Sequence, residues 1–224
     1  MEFSLNHIKA YLKNVYFVNG TAYAGKSTLC KILAEKHQMI LCGENYKFGD
    51  FLALTNKETH PNMNYFNTMK SWEEFLWRSK EDYHAWMENV SLETTPFEIL
   101  ELISLSRNNK VIVDTSIPHH ILKEISDKDH VLYMVATEEI AMNEFFNRKD
   151  REKQFLLSVI EKNDEKEALL AHYKKTIAYF NRKEIIDYYK NSGFHCIQRK
   201  TLDEPINEKV KLAEQYFKLG EYRE

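Results

Sequence analysis

Gly20-Thr21-Ala22-Tyr23-Ala24-Gly25-Lys26-Ser27 decides the reading of this 224-residue chain. The stretch matches G-x-x-x-x-G-K-S at every fixed position. Glycine at 20 and 25 admits backbone angles that a Cβ forbids, so consecutive N–H groups can turn toward one polyphosphate. Lys26 adds a point charge for the β- and γ-phosphates, and a serine at position 27 is a magnesium ligand in this spacing. The flanks agree. Val15-Tyr16-Phe17-Val18 is a short apolar run with strand character. Thr28-Leu29-Cys30-Lys31-Ile32-Leu33-Ala34 has helical apolar spacing, so the loop opens onto a helix N-terminus whose partial positive charge favours phosphate. Residues 20–28 are the expected nucleotide-binding set.

Composition narrows the class. A net charge of −3 does not advertise nucleic-acid binding, so no nucleic-acid partner is expected. The N-terminus lacks the basic and apolar segments of a signal peptide, and no apolar run approaches the ~20 residues of a membrane span. Cys30, Cys42 and Cys196 form no C-x-x-C pair and no zinc spacing, and read as small hydrophobes in a reducing compartment. A cytoplasmic protein with no membrane partner is expected. Oligomeric state, monomer or homodimer, is not encoded legibly.

Outward from the loop, Met39-Ile40-Leu41-Cys42, Val111-Ile112-Val113-Asp114, the apolar run 130–136 and Phe194-His195-Cys196-Ile197 are further strand candidates. Five apolar runs alternating with helices predict an α/β architecture, a five-stranded parallel sheet covered on both faces. Residues 51–109 read as a helical insertion. Ser71-Trp72-Glu73-Glu74 is a capping box, and Thr95-Pro96-Phe97-Glu98 a second one with Pro at the first helical position. Residues 154–191 read as one long helical stretch, broken near Asn163-Asp164-Glu165 and stopped at Asn191-Ser192-Gly193. Asp114, at the end of a strand beside the loop, is the expected carboxylate of the magnesium shell, directly or through water.

Gly49-Asp50 after the second strand resembles the pair with which nucleoside monophosphate kinases open the helix at their acceptor site. Thr115-Ser116-Ile117-Pro118-His119-His120 is similar to the turn after their third strand, and Arg148 and Arg151 match their lid arginines by type and location. Thr201-Leu202-Asp203-Glu204-Pro205 lies where these kinases hold the adenine ring. The resemblance implies a three-layer P-loop NTPase fold in a single domain over 1–224. Its core would be 1–50 and 110–224, its acceptor-binding insertion 51–109 and its lid-like segment 147–153. It implies an ATP- and Mg²⁺-dependent kinase acting on a nucleoside or nucleotide. Lys26, Arg148, Arg151 and Asp114 would be catalytic, Ser27 and Asp114 would hold the metal, and Asp50, His119, Tyr65 and Trp77 would bind the acceptor.

The chain departs from that family where Ala53 and His119 stand in place of arginines. This keeps a second class of acceptor open: a sugar, a shikimate-like acid or an antibiotic hydroxyl. A regulatory ATP-binding module without a small acceptor is a third reading. Each candidate also has a plain structural role. Asp50 can cap a helix. His119 and His120 can be solvated loop residues. Arg148 can pair with Glu152 along a helix. Most of the aromatic stripe of the insertion can be core, Tyr65 and Trp77 being the two that lie off it.

Overall fold

In the computed structural model, which describes residues 6–147 and 151–220, the chain is an α/β protein. A short α1 (Asn6–Tyr11) precedes β1 (Val15–Gly20), and α2 (Lys26–His37) follows the loop. Then come β2 (Ile40–Cys42), α3 (Phe48–Ala53), α4 (Tyr65–Thr68), α5 (Trp72–Leu76) and α6 (Lys80–Ser106). After β3 (Val111–Asp114) the order is α7 (His119–Ile125), β4 (Val131–Ala136), α8 (Glu138–Asn147), α9 (Arg151–Glu161), α10 (Lys166–Tyr179), α11 (Lys183–Lys190), β5 (His195–Arg199) and α12 (Ile206–Tyr216). The strands form one sheet in the order β2-β3-β1-β4-β5, every neighbouring pair parallel.

Alternation along the strands builds the two sides. Tyr16, Val18, Ile112, Leu132 and Met134 pack with Leu29 and Leu33 of α2 and with Val210 and Ala213 of α12. Val15, Phe17, Val111, Val113, Val131 and Tyr133 face Leu12, Ile99 and Leu102 of α6, and Leu122 and Ile125 of α7. A parallel sheet needs such cover on both faces, and β1, β3 and β4 are accordingly near-continuous apolar runs, with Asn19 and Asp114 at the carboxyl ends of the first two. Cys30 and Cys42 are buried and Cys196 is half-buried, all three free thiols.

A third apolar cluster lies off the sheet among α5, α6, α8, α9 and α10, where Phe75, Trp86, Phe145 and Tyr173 meet. It takes up much of the unusual aromatic content. Tyr65 tilts against Trp86 at 5.4 Å between ring centroids and carries the Arg78 guanidinium at 4.6 Å over its ring. Trp77 sits against His172 at 5.2 Å. Both serve this packing.

Three local expectations are corrected. The chain does not restart a helix at Thr95-Pro96: α6 runs through Pro96 without a break. Proline removes one amide and crowds the preceding turn. Just before it the Thr94 hydroxyl donates to the Val90 carbonyl at 2.7 Å and the Thr95 hydroxyl to the Ser91 carbonyl at 2.6 Å, while the Leu92 carbonyl is the one that Pro96 leaves without its helical amide. Second, Asp50 is not a cap. Lys47 occupies that position in the left-handed region, and Asp50 lies exposed in the first turn of α3. Third, residues 166–190 are two helices, interrupted at 180–182. Ser71 does cap α5, its hydroxyl accepting from the Glu74 amide at 3.1 Å.

Candidate functional site

The sheet order brings the site together. β1 continues to β2 on one side, while its neighbour β3 continues to β4 on the other. The carboxyl ends of β1 and β3 therefore border a crevice, the usual ligand position in open parallel sheets. Val18 is in register with Asp114, so the acidic end of β3 lies beside the start of the loop. Side-chain alternation puts Asp114 on the α2 side of the sheet. There the Ser27 hydroxyl donates to Asp114 Oδ2 at 2.6 Å.

The loop itself is bent by three residues with positive φ: Gly20 at 132°, Tyr23 at 57° and Gly25 at 95°. Gly25 is the N-cap of α2 and has no side chain to offer, so the first amides of that helix lack a side-chain partner at the cap. A helix start of this kind suits an anion. Gly20 is required for a different reason. A Cβ there would lie 1.9 Å from the Met134 carbonyl oxygen of β4. Lys26 Nζ donates to the Thr21 carbonyl at 2.9 Å.

Two side chains that the sequence did not mark hold this loop. Asn181, fully buried in the break between α10 and α11, places Nδ2 within 3.1 Å of Thr21 Oγ1, 2.8 Å of the Ala22 carbonyl and 2.8 Å of the Ala136 carbonyl. Thr21 Oγ1 also accepts from the Ala136 amide at 2.8 Å, so the loop is tied to the end of β4. Arg199, at the end of β5, donates to the Tyr23 carbonyl at 3.0 Å and to Glu144 at 2.7 Å. Neither residue carries a motif; Asn181 stands only as the first polar residue after the apolar run 177–180, with charged residues following it. Asn181→Ala is expected to lower stability by about 1–3 kcal/mol, because three buried acceptors lose their donor. Urea unfolding measures this, and a loss under about 0.5 kcal/mol would remove the tie from the account.

A cleft of ≈ 730 Å³ opens from the loop, bordered by Gly20, Thr21, Ala22 and Lys26, by Asp114 and His119 after β3, by one side of α6, and by Tyr188 and Tyr189 of α11. A smaller cavity of ≈ 190 Å³ adjoins it, sharing Ala22, Lys26, Glu44, Met87 and Phe180 and reaching residues 22–28, Phe145 and Lys153. The expected nucleotide set thus lines both cavities, residues 20–22 and 26 the larger and 22–28 the smaller. Of the expected acceptor residues, His119 borders the cleft. Asp50, Tyr65 and Trp77 do not, the last two being absorbed in the aromatic cluster. Arg148 lies outside the described residues. Arg151 is exposed and borders neither cavity, whereas Lys153 borders the smaller one; residues two apart on a helix do not share a face.

Electrostatics single out one group. Glu98 of α6 borders the cleft, and burial pushes its carboxyl up to about 7, with Thr115 opposing through a hydrogen bond and Asp114 adding to the rise. Its Oε1 is sealed from solvent with no hydrogen-bond partner. His119 is pulled below its ordinary value by burial first and then by Lys123 and His120, and its Nδ1 lies 2.8 Å from the Tyr133 hydroxyl. A carboxyl whose folded pKa is raised binds more protons folded than unfolded. Glu98 therefore favours folding at low pH, and that contribution fades as pH rises from the ordinary carboxylate value of 4.5 through about 7. Chemical unfolding across that window should show stability falling with pH in the parent and a flatter profile in Glu98→Gln. Equal slopes would contradict the burial of this carboxyl.

Among the described residues, no group of three or more His, Cys, Asp or Glu side chains could hold a metal ion by itself. Ser27 and Asp114 supply two hard oxygens side by side, a donor set that fits Mg²⁺, which is held by one or two protein oxygens plus substrate phosphates and water.

No family model matches this chain, and no curated protein matches it. Among solved structures, 22 chains match. One is described as the crystal structure of an uncharacterized protein from Eubacterium ventriosum ATCC 27560. It covers 91% of this chain and 97% of its own at 10% identity and a TM-score of 0.43. No helix among the described residues is long and apolar enough to cross a membrane.

Proposed function

We propose that the protein is a cytoplasmic small-molecule kinase of the P-loop type, transferring the γ-phosphoryl of ATP to a hydroxyl acceptor with Mg²⁺. The observation that carries this reading is the Ser27–Asp114 hydrogen bond at 2.6 Å beneath a loop bent by left-handed residues at 23 and 25. The motif joins to its expected carboxylate across 87 positions of sequence. A cleft of ≈ 730 Å³ beside Lys26 leaves room for a second substrate, which favours a kinase over a regulatory module without a small acceptor.

In this scheme the amides of the loop and of the first turn of α2 hold the polyphosphate, and Lys26 neutralises the migrating group. Ser27 and Asp114 would hold Mg²⁺, which would supply positive charge against the negative charge of the phosphates. Lys153, at the smaller cavity, adds positive charge to the space lined by residues 22–28. Asn181 and Arg199 keep the loop in shape before the nucleotide arrives. Calorimetry with ATP and with GTP, each with and without Mg²⁺, tests the reading. ATP binding strengthened by the metal is the expected result; no binding of either nucleotide would end the kinase assignment.

A further inference from the structure

Glu98 stands apart from every other carboxylate of the cleft. It projects from the middle of α6 toward the end of β3, close enough to Asp114 and Thr115 for both to act on its charge. Thr115 binds one side of the carboxyl group, and its hydroxyl oxygen also accepts from the Ile117 amide at 3.0 Å. The other oxygen, Oε1, has nothing. Leaving a sealed carboxylate oxygen without a donor is costly, so the arrangement asks for one. The terminal torsion of a glutamate is soft, and a small rotation can turn that oxygen toward a molecule in the cleft. Lys26 borders the same space, so a donor bound beside Glu98 would also lie near the loop.

The charge of the acceptor arm points the same way. Glu44, Glu88, Glu98 and Glu101 border the cleft, and among the described residues Lys26 is its sole lysine or arginine. Lys47 Nζ meets Glu101 at 2.7 Å from outside the lining. A doubly charged phosphate ester placed there would face these four glutamates, and Lys26, which serves the nucleotide phosphates in this scheme, is the one lysine or arginine of the described lining.

We propose that Glu98 receives the proton of the acceptor hydroxyl, and that the acceptor is a neutral or cationic hydroxyl compound carrying no phosphate. The inference rests on the kinase reading and narrows it. The acceptor oxygen forms the new bond to the γ-phosphorus while the bond from that phosphorus to the β–γ bridging oxygen breaks. ADP keeps the electron pair on the bridging oxygen, and the hydroxyl proton passes to Glu98 and then to solvent.

Water serves as a hydroxyl probe that needs no identified acceptor. In Glu98→Gln, which keeps size and shape, basal ATP hydrolysis should fall at least about tenfold, since a positioned proton acceptor contributes a hundredfold or more in a fitted site. The ATP dissociation constant should stay within about twofold, and Glu98→Asp should retain part of the rate. A purely structural Glu98 would not separate rate from binding in this way. Should Glu98→Gln not fold, Glu98→Asp carries the test against the parent, with a reduced rate at unchanged ATP affinity expected. Hydrolysis at the parental rate in the folded variant overturns the proposal while leaving nucleotide binding intact; absence of ATP binding in the parent overturns the kinase reading beneath it. In parallel, ADP release is compared with thymidine, adenosine, glucosamine and ethanolamine against AMP, thymidine monophosphate and glycerol 3-phosphate. Stimulation by the first set supports the proposal. Stronger stimulation by the phosphate esters, or none by the first set, overturns it.

Discussion

Lys26→Ala is expected to lower phosphoryl transfer at least a hundredfold and to leave the fold standing. Removing even one neutral hydrogen-bond donor aimed at developing charge costs roughly 2.7–4 kcal/mol of transition-state stabilisation, and Lys26 adds a full charge. In the folded protein Lys26 Nζ makes a single hydrogen bond of 2.9 Å to the Thr21 carbonyl, near the surface of the cleft. Losing a bond of that type changes stability by about 1 kcal/mol, or about 2–4 °C in Tm for a domain of this size. Radiolabelled transfer and thermal unfolding on the same preparations measure both effects. A variant that transfers phosphate as well as the parent would remove the loop from the chemistry, whatever it binds.

The second large effect is on folding. Gly20→Ala puts a methyl group where the Met134 carbonyl already stands, 1.9 Å away, on a backbone with φ of 132°. Neither partner can yield easily. Gly20 and Met134 are in register at the end of the β1–β4 ladder, and the same carbonyl accepts from the Thr21 amide at 3.0 Å. The loss is expected to exceed about 3 kcal/mol, a large share of the roughly 5–15 kcal/mol that holds an ordinary domain, or to force β1 from β4. Gly43→Ala is the control, because a Cβ at 43 meets nothing within 4 Å. Urea midpoints compare the two. If the changes are alike, close strand approach is not what position 20 demands of its residue.

The parts legible from the sequence were those in which a local pattern answers to a local cause. β3 was bounded at both ends, since Val111-Ile112-Val113 must be apolar on both faces and Asp114 must not. The meeting of Ser27 with Asp114 followed from the motif and the strand end together. Elsewhere a local signal lost to a tertiary one. Thr95-Pro96 looks like a helix start, but α6 runs through it and places Ile99 and Leu102 under the sheet. The aromatic residues of 65–86 suggested a flat ligand, and instead they pack a sub-core among five helices. Asp50 was placed one turn too late to cap its helix. Glu98 was visible only as the last letter of a capping box; its confinement beside Asp114 depends on how α6 crosses the sheet, which no spacing reveals. Arg151 was marked by its residue type and its place in the chain, but the face it occupies decides what it can reach, and Lys153 is the one that borders a cavity.

The Asn181 tie has a consequence for synthesis. The motif occupies eight consecutive residues, yet the side chain that fixes Thr21 and Ala22 arrives 160 and 159 positions later. While the ribosome is still making α10, the glycine-rich turn exists as chain but lacks its brace, so the nascent protein should acquire affinity for nucleotide abruptly, near the end of translation. For the same reason the turn cannot be moved as a cassette: grafted without its distant asparagine, it would keep the consensus and lose the shape.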